Sequence, residues 1–442
     1  MAVYSISFVQ NSQLVARSSQ LFQKLVAHSS WLAAIFLPLN FKLRTLNFIK
    51  LHRSTTDAVI FSLDQIFGEN RYADKVIEKT LKQNSKWGAR DRRFIAETTY
   101  DIVRWYRMLR TTTKANEGEH WKLLAGWLVL NKYELPPWVE FQKVNPGEIL
   151  QSYEKLKSVR KIKESIPDWL DELGESELGK KWDGELSALN EEASVVLRAN
   201  TLKIKRDDLQ EKLWEERIET ESSDDFPDAL MLKQRQNVFT SPSFKEGLFE
   251  VQDANSQLIA PFMNIEPGMR VIDACAGAGG KTLHMAALMK NKGRIVAMDV
   301  EQWKLDELQK RARRAGVSNL ETRLIDSSKI LKRLENSADR ILLDVPCSGL
   351  GVLKRNPDAK WKLSPEFITN VKDLQEKILA DYGGMLKSGG QMVYSTCSIL
   401  PSENEAQVEK FLKAQSNYGL IEQVHCWPSE GFDGFYMAKF KK

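Results

Sequence analysis

From residue 269 onward, short apolar segments alternate with amphipathic segments of helical periodicity, and no other pattern in the chain limits the possible folds as strongly. Apolar runs of strand length lie at residues 271–275, 294–300, 321–325, 340–344 and 391–395. Strands that alternate with helices predict a parallel sheet with helices on both faces. Residues 418–425 and 434–440 predict a hairpin that closes this sheet. We therefore expect an α/β, Rossmann-like domain in the C-terminal part of the chain.

A glycine-rich loop follows the first of these strands. It reads Asp-Ala-Cys-Ala-Gly-Ala-Gly-Gly-Lys-Thr over residues 273–282 and precedes a predicted helix. Glycines let a ligand approach the backbone, and the first N–H groups of a helix are free to bind it. A Walker A loop would need glycine at Cys275, and a dinucleotide fingerprint would need it at Thr282, so both are excluded. S-adenosylmethionine, which brings a carboxylate and a ribose, remains as the candidate cofactor.

Aspartates end the first three strands of this series, at Asp273, Asp299 and Asp326. Ligands of open parallel sheets bind beyond the carboxyl ends of the strands, where these side chains lie. We expect Asp299 to accept hydrogen bonds from the ribose hydroxyls and Asp326 to bind the adenine amino group. A single aspartate in such a position is more commonly a cap or a turn residue. The set of three after this loop favours cofactor binding.

Composition narrows the class of protein. The four cysteines, at positions 275, 347, 397 and 426, have no Cys-x-x-Cys spacing. They form neither a disulfide scaffold nor a zinc site, so we expect no metal and a reducing, cytoplasmic location. The net charge of +5 among 442 residues is compatible with a polyanionic partner. The apolar run at residues 31–39 is too short to span a bilayer, and no membrane association is expected.

Two of the cysteines, Cys347 and Cys397, come just after the fourth and fifth predicted strands. A lone cysteine is more often a small buried apolar residue than a reactive one. Strands four and five of this kind of sheet normally lie side by side, so both thiols should converge on the ligand crevice. Lys281, in the glycine-rich loop, is a candidate for favouring a thiolate there.

Two thiols beside a methyl donor suit the methylation of a pyrimidine carbon. Carbon 5 of cytosine is a poor nucleophile until a nucleophile has added to carbon 6, and a thiolate can both add and leave. A base must then remove the carbon 5 proton, which gives the second cysteine a role as base or as an aid to release. Methyltransferases that act on exocyclic amines carry an Asn/Asp-Pro-Pro-aromatic loop, and this chain has Asp-Val-Pro-Cys at residues 344–347.

These motifs together resemble the RNA cytosine-5 methyltransferase family over residues 251–442. The resemblance includes the glycine-rich loop, Asp-Val-Pro-Cys-Ser, Asn-Pro-Asp at residues 356–358 and Tyr-Ser-Thr-Cys-Ser at residues 394–398. It implies that Cys397 is the nucleophile and that Cys347 assists product release. It also implies cofactor contacts from Cys275, Ala276, Gly277, Ala278, Gly279, Gly280, Lys281, Asp299, Asp326 and Asp344. Asp344 is alternatively a ligand of the target base, and Ala278 stands where the family usually has proline.

The upstream sequence divides into further domains. Residues 51–150 have helical periodicity throughout, and Ala-Arg-Asp-Arg-Arg-Phe-Ile at 89–95 resembles the signature of the NusB-like, RNA-binding domain found in the family branch that modifies small-subunit (16S) ribosomal RNA. Residues 151–250 predict a linker helix and a small α+β segment, in which 197–203 resembles the family's RNA-binding segment. Residues 239–252 predict short strands around turns. Residues 251–442 form the methyltransferase domain. Residues 1–50 are expected to lie outside the fold, as a start of the gene that is placed too early would explain.

The expected partner is RNA, most specifically small-subunit ribosomal RNA, and we expect a monomer. Basic residues 160–163 and 354–362 are candidate phosphate contacts, whereas 310–314 is more typical of a solvated helix face. Trp361 is equally suited to stacking on a base or packing on the sheet. Three alternatives stay open: another RNA such as tRNA, DNA cytosine-5 methylation, and a non-catalytic RNA-binding assembly factor.

Overall fold

The computed structural model describes residues 51–442. The predicted extension at residues 1–50 lies outside the described residues. Within them, no helix is both long enough and apolar enough to cross a membrane.

The N-terminal part is entirely helical from residue 53 to residue 156, as the periodicity predicted. Its α-helices are Arg53–Leu63, Ala73–Lys82, Ala89–Arg104, Tyr106–Thr113, His120–Leu130 and Pro146–Leu156. The longest of them buries Ile95, Ile102 and Val103, which recur at helical spacing. Asn145 caps the last helix through its side chain, which accepts hydrogen bonds from two backbone N–H groups. The assignment of this part as NusB-like stays a prediction.

The middle part contains the short helices Arg160–Lys163, Asp168–Leu178 and Trp182–Leu189 and a four-stranded antiparallel sheet. Its strands are β1 (Val196–Ala199), β2 (Thr220–Ser223), β3 (Phe226–Leu232) and β4 (Phe249–Val251), in the order β2-β3-β1-β4, with the helix Arg206–Glu215 between β1 and β2. The prediction of several short strands over 239–252 was wrong. Only β4 forms there, because Ser241 caps a helical turn at Pro242–Lys245.

The C-terminal part is a seven-stranded sheet in the order β10-β11-β9-β8-β5-β6-β7. The strands are β5 (Arg270–Asp273), β6 (Arg294–Asp299), β7 (Leu320–Leu324), β8 (Ala338–Asp344), β9 (Leu386–Thr396), β10 (Gly419–Cys426) and β11 (Phe435–Lys441). Strands β5 to β9 are parallel, and β10 and β11 form the predicted hairpin. Adjacent residues of β5 enter different apolar cores, Val271 one and Ile272 the other, because successive strand side chains face opposite ways. The predicted α/β, Rossmann-like fold is confirmed.

Helices cover this sheet and precede it. They are Ala254–Gln257, Ile259–Phe262, Gly280–Leu288, Gln302–Ala315, Ser328–Arg333, Ala359–Lys362, Pro365–Gly383 and Glu405–Ala414.

The basic segment 354–362 joins the helical part to the methyltransferase domain. Lys354 and Lys360 are only 3% and 2% exposed. Trp361 Nε1 donates to the carbonyl of Val103 at 2.7 Å, and Arg104 donates to the carbonyl of Lys354 at 2.8 Å. The prediction that this segment contacts RNA was therefore wrong for its buried lysines, and Trp361 packs on a helical neighbour, Tyr106, rather than on the sheet. The charged groups of Lys354 and Lys360 are buried in the contact between domains, so they are not available to RNA.

The other basic stretches are also largely paired. Arg160, a predicted phosphate contact, binds the carboxylates of Asp171, Glu175 and Asp183. Arg311 and Arg314 both bind Glu250, which is 4% exposed, so the expectation of a solvated face at 310–314 was wrong for these two residues.

The segment 197–203 joins the small sheet to the helix Gln302–Ala315. The side-chain amide of Asn200 donates to the carbonyls of Gly247 and Ala315, each at 2.8 Å. Lys203 Nζ donates to the carbonyls of Glu246 and Arg314, each at 2.7 Å. These polar groups therefore stabilise the contact between the middle and C-terminal parts.

Candidate active site

A cavity of about 250 Å³ lies beyond the carboxyl ends of β5 and β8. It is lined by the glycine-rich loop and a few side chains around it: Gln252, Ser256, Asp273, Cys275, Ala276, Gly277, Ala278, Gly279, Gly280, Lys281 and Asp344. Eight of the ten residues predicted to bind the cofactor are in this lining. Asp299 and Asp326 are the two that are not.

The shape of the loop depends on glycine at position 279. Gly279 has a φ of +88°, and a Cβ atom there would lie 2.0 Å from Leu308 Cδ1. The turn lets the helix Gly280–Leu288 begin at the cavity, with its first N–H groups at the loop. Arg198, on β1, donates to the carbonyl of Gly280 at 2.6 Å and to the side chain of Gln252, so the middle domain supports the loop from behind.

Asp273 leaves one carboxylate oxygen available at this cavity. Its Oδ2 atom accepts a hydrogen bond from Thr282 Oγ1 at 2.6 Å, whereas Oδ1 has no partner within the described part of the chain. Burial raises the pKa of this carboxyl to about 7, with the Thr282 bond opposing the shift. A buried, unpartnered acceptor beside helix N–H groups fits a zwitterionic amino-acid group such as that of S-adenosylmethionine. The sequence placed Asp273 at a strand end but assigned it no ligand contact.

The remaining two aspartates have different surroundings. Asp299 lies at the border of the loop, where its Oδ2 accepts from the backbone N–H of Gly277 at 2.9 Å and its Oδ1 accepts from that of Glu301 at 3.0 Å. Asp326 is exposed and accepts a bond from the neighbouring Ser327 hydroxyl. The structure thus brings Asp299 to the loop but leaves Asp326 outside the cavity lining.

The thiols of Cys347 and Cys397 meet, with their sulfur atoms 3.2 Å apart. They meet because β8 and β9 are parallel neighbours with Asp344 opposite Ser395, so the loops after the two strands leave the sheet together. The hydrogen bond with Cys397 raises the pKa of Cys347 well above its ordinary value, and burial adds to the shift. The thiol of Cys347 therefore stays protonated, and the S–H group of either cysteine can be the donor in this contact.

Lys281 and Asp344 connect the cavity to the thiols. Lys281 Nζ donates to Asp344 Oδ2 at 2.6 Å, and the hydroxyl of Ser395 donates to Asp344 Oδ1 at 2.9 Å. Burial is the largest single effect on the pKa of Lys281 and lowers it, but the charge of Asp344, its hydrogen bond to Lys281 and the charges of Cys397 and Asp273 together outweigh burial, so the pKa is raised. Lys281 is therefore a cation at neutral pH. Among residues 51–442, no cluster of three or more histidine, cysteine or acidic side chains could hold a metal ion.

Known families match the parts of the chain that build this site. A profile described as "16S rRNA methyltransferase RsmB/F" matches residues 260–441, and one described as "Methyltr_RsmF/B-like, ferredoxin-like domain" matches residues 166–239. Residues 166–239 and 260–441 are thus similar to the RsmB/F methyltransferase family. This similarity confirms the predicted family and S-adenosylmethionine as its cofactor, and it accounts for the small sheet of the middle part.

Relatives within the RsmB/F family cover much of the chain. A probable ribosomal RNA small subunit methyltransferase B of Synechocystis sp. is 39% identical over 61% of this chain and 59% of its own length. The Bacillus subtilis relative with the same description is 34% identical over 56% and 59%. This chain thus spans about three fifths of the length of these two relatives. An Enterobacter ribosomal RNA small subunit methyltransferase B is 29% identical over 76% of this chain and 85% of its own.

Solved structures share the fold. The crystal structure of PH0851 aligns with 90% of this chain and 100% of its own at a TM-score of 0.76 and 24% identity. A methyltransferase homologue from Pyrococcus horikoshii aligns with 64% of this chain and 97% of its own, at a TM-score of 0.58 and 26% identity. These likenesses support the fold described above.

Proposed function

We propose that this protein transfers a methyl group from S-adenosylmethionine to carbon 5 of a cytosine in RNA, with small-subunit (16S) ribosomal RNA as the substrate. Similarity to the RsmB/F family supports the methyl donor and the class of RNA. The observation that carries the carbon 5 assignment is the pair of thiols 3.2 Å apart, next to the glycine-rich cavity. Transfer to an exocyclic amine needs no nucleophilic thiol, so it would leave this pair without a role.

The cofactor fits the residues around the cavity. Asp273 Oδ1 would accept from the ammonium group, the N–H groups at the start of the helix Gly280–Leu288 would bind the carboxylate, and Asp299 would bind the ribose. When bound, S-adenosylmethionine supplies the methyl group as an electrophile. Lys281 and Asp344, which form an ion pair between the cavity and the thiols, would hold the target base.

Cys397 is proposed as the nucleophile. Its thiolate adds to carbon 6 of the ring, the carbon 5–carbon 6 double bond breaks, and carbon 5 becomes nucleophilic. Cys347 stabilises the thiolate beforehand, because its S–H group donates to that sulfur, and the ammonium of Lys281 adds positive charge nearby.

Cys347 is proposed to act after the methyl group has moved. A base must take the proton from carbon 5, so that the electron pair of the C–H bond re-forms the carbon 5–carbon 6 double bond and the bond from carbon 6 to the Cys397 sulfur breaks to release the thiolate. Cys347 stands in contact with that sulfur and is placed to assist its release. The target base must be unstacked for this chemistry, because carbon 6 is shielded inside a helix.

Incubation with a radiolabelled methyl donor and ribosomal RNA, tRNA or DNA tests the proposal. We expect label in ribosomal RNA as 5-methylcytosine, no transfer by Cys397→Ala, and a covalent protein–RNA adduct with Cys347→Ala. Activity retained by Cys397→Ala, with activity lost by Cys347→Ala and no adduct, would reverse the two roles. Label found in tRNA or DNA instead would reject the substrate, and specific RNA binding without label would identify a non-catalytic binding protein.

A further inference from the structure

A carboxylate that is fully buried lies behind the two thiols. Glu403 is 0% exposed and belongs to the helical turn Pro401–Glu403, shortly after Cys397. Its Oε2 atom accepts from the backbone N–H of Ser348 at 2.8 Å, and its Oε1 atom accepts from the hydroxyl of Ser398 at 2.6 Å. No ion pair with a lysine, arginine or histidine is formed by this carboxylate inside the described region.

The two serines bound by Glu403 directly follow the two cysteines. Their hydroxyls also hydrogen-bond to each other, at 3.1 Å. One carboxylate therefore contacts both of the loops that carry the thiols, and its two oxygens set the distance between those loops. If Glu403 moved, Cys347 and Cys397 would move as well, because only Ser348 and Ser398 lie between them and the carboxylate.

The helix Pro365–Gly383 adds a third connection through Gln375, whose side chain is fully buried. Its Nε2 atom donates to Glu403 Oε2 at 3.0 Å and to the carbonyl of Pro346 at 2.9 Å. The residues before and after Cys347 are thus held by one hydrogen-bonded group. The side chain of Glu403 accepts from three donors and donates to none, which is the pattern of an ionised carboxylate.

We propose that Glu403 is a positioning residue for the thiol pair: through Ser348 and Ser398 it sets the spacing of the two sulfur atoms. Its catalytic consequence rests on the proposed function, whereas its effect on the thiols does not. Burying a carboxylate without a cation is costly, and a neutral side chain could make similar hydrogen bonds at lower cost. The negative charge of Glu403 at this buried position therefore acts on the two neighbouring thiols.

The electrostatics around the pair agree with this role. The pKa of Cys347 is raised first by its bond to Cys397, then by burial, and also by the charge of Glu403. The other titratable groups that face the pair are Lys281, with its partner Asp344, on the cavity side and Tyr394 on β9. Only Glu403 among these groups hydrogen-bonds to both cysteine loops.

Glu403→Gln tests the proposal, because it keeps the shape of the side chain and removes the charge and one acceptor. The full-length protein, without RNA, is alkylated with iodoacetamide between pH 6 and 10, and each cysteine is followed by mass spectrometry of its peptide. We expect the profile of Cys347 to move to lower pH by about one unit. We also expect kcat for methyl transfer to fall by about 100-fold, with KM for RNA unchanged, since a small misplacement of reacting groups has that effect.

Glu185→Gln is the matched control. Glu185 is also a buried glutamate whose carboxylate accepts from the N–H and hydroxyl of one serine, Ser429, at 3.0 and 2.7 Å. We expect this variant to leave the alkylation profiles unchanged. If Glu403→Gln also leaves them unchanged, or if both variants shift them equally, the positioning role is overturned.

Two further variants keep the test decisive. Glu403→Asp retains the charge, so the alkylation profiles of the two cysteines should stay almost as far apart in pH as in the wild type. If Glu403→Gln does not fold, Ser398→Ala removes one of the bonds to Glu403 and should shift the Cys347 profile in the same direction by a smaller amount, and the absence of that shift overturns the proposal. A shift of the profiles in a protein that transfers no methyl group would reject the proposed function and leave the positioning role intact.

Discussion

Replacement of Gly351 by alanine should separate the two cysteine loops. The backbone N–H of Gly351 donates to the carbonyl of Cys397 at 2.9 Å, and its carbonyl accepts from the N–H of Gly434 at 2.8 Å. A Cβ atom at position 351 would lie 2.2 Å from the Gly434 oxygen and 2.8 Å from the Cys397 oxygen. Both neighbours are backbone atoms of buried segments, so neither can rotate away as the end of a side chain could.

The cost of Gly351→Ala follows from these contacts. Overpacking in a dense interior costs about 1–3 kcal/mol. The shift that relieves the overlap also weakens two buried backbone hydrogen bonds, each with a net value of about 1 kcal/mol. We therefore expect the free energy of unfolding to fall by about 3–5 kcal/mol. The backbone at Cys397 has to move, so we also expect the 3.2 Å contact between the sulfur atoms to be lost.

Urea unfolding followed by circular dichroism gives the first quantity, and the pH profile of iodoacetamide alkylation reports on the thiol pair. Gly184→Ala is the control, because Gly184 lies in the helix Trp182–Leu189 and a Cβ there meets no atom within 4 Å. Alanine should stabilise that helix by about 0.5–1 kcal/mol. A Gly351→Ala protein as stable as the wild type, with unchanged alkylation, would refute the reasoning about this backbone contact.

Three other predictions concern the remaining parts of the molecule. The folded protein holds a proton on Asp273 up to about pH 7, whereas the unfolded chain releases it near pH 4. The free energy of unfolding of the ligand-free protein should therefore fall as the pH rises through that window. In urea unfolding, Asp273→Asn should remove about 2–3 kcal/mol of the difference in this free energy between pH 5 and pH 8. Trp361→Phe should lower the free energy of unfolding by about 1 kcal/mol, because the hydrogen bond to the carbonyl of Val103 is lost. The affinity for RNA in a filter-binding assay should stay unchanged, and a selective loss of that affinity would show that Trp361 contacts RNA. Glu250→Gln should lower the free energy of unfolding by about 3 kcal/mol, because it weakens the bonds of two arginines at a buried site, and a change below about 0.5 kcal/mol would mean that these pairs are not stabilising.

Short-range patterns in the sequence predicted much of the fold. The five parallel strands and the closing hairpin were predictable because segments of strand length alternate with segments of helical periodicity along this part of the chain. Strands β2 and β3 were not predicted, since Thr-Glu-Ser-Ser at β2 has no apolar alternation and pairs only at the edge of a small sheet. The capped turn at Pro242–Lys245 replaced predicted strands because one serine side chain satisfied a backbone N–H group there.

The site was predictable where it depends on residue type and position in the chain. The cysteines after β8 and β9 and the loop after β5 follow from chain order, because parallel strands end at the same edge of a sheet. Asp326 was expected in the site by the same argument, yet it lies outside the cavity lining, since the end of β7 is at the margin of the sheet. Glu403 has no motif signal, because two of its three partners, Ser348 and Gln375, come from distant segments.

The sequence by itself determined the helical and α/β parts, the residue types at the loop and the two thiols, because these depend on periodicity and on short motifs. Only the tertiary structure decided which charges are used internally. Lys354 and Lys360 are indistinguishable in sequence from surface lysines, and burial between domains gave them structural partners. The 3.2 Å sulfur contact was likewise decided by strand register and by the carboxylate behind it, since a distance between loops is a property of packing and not of composition.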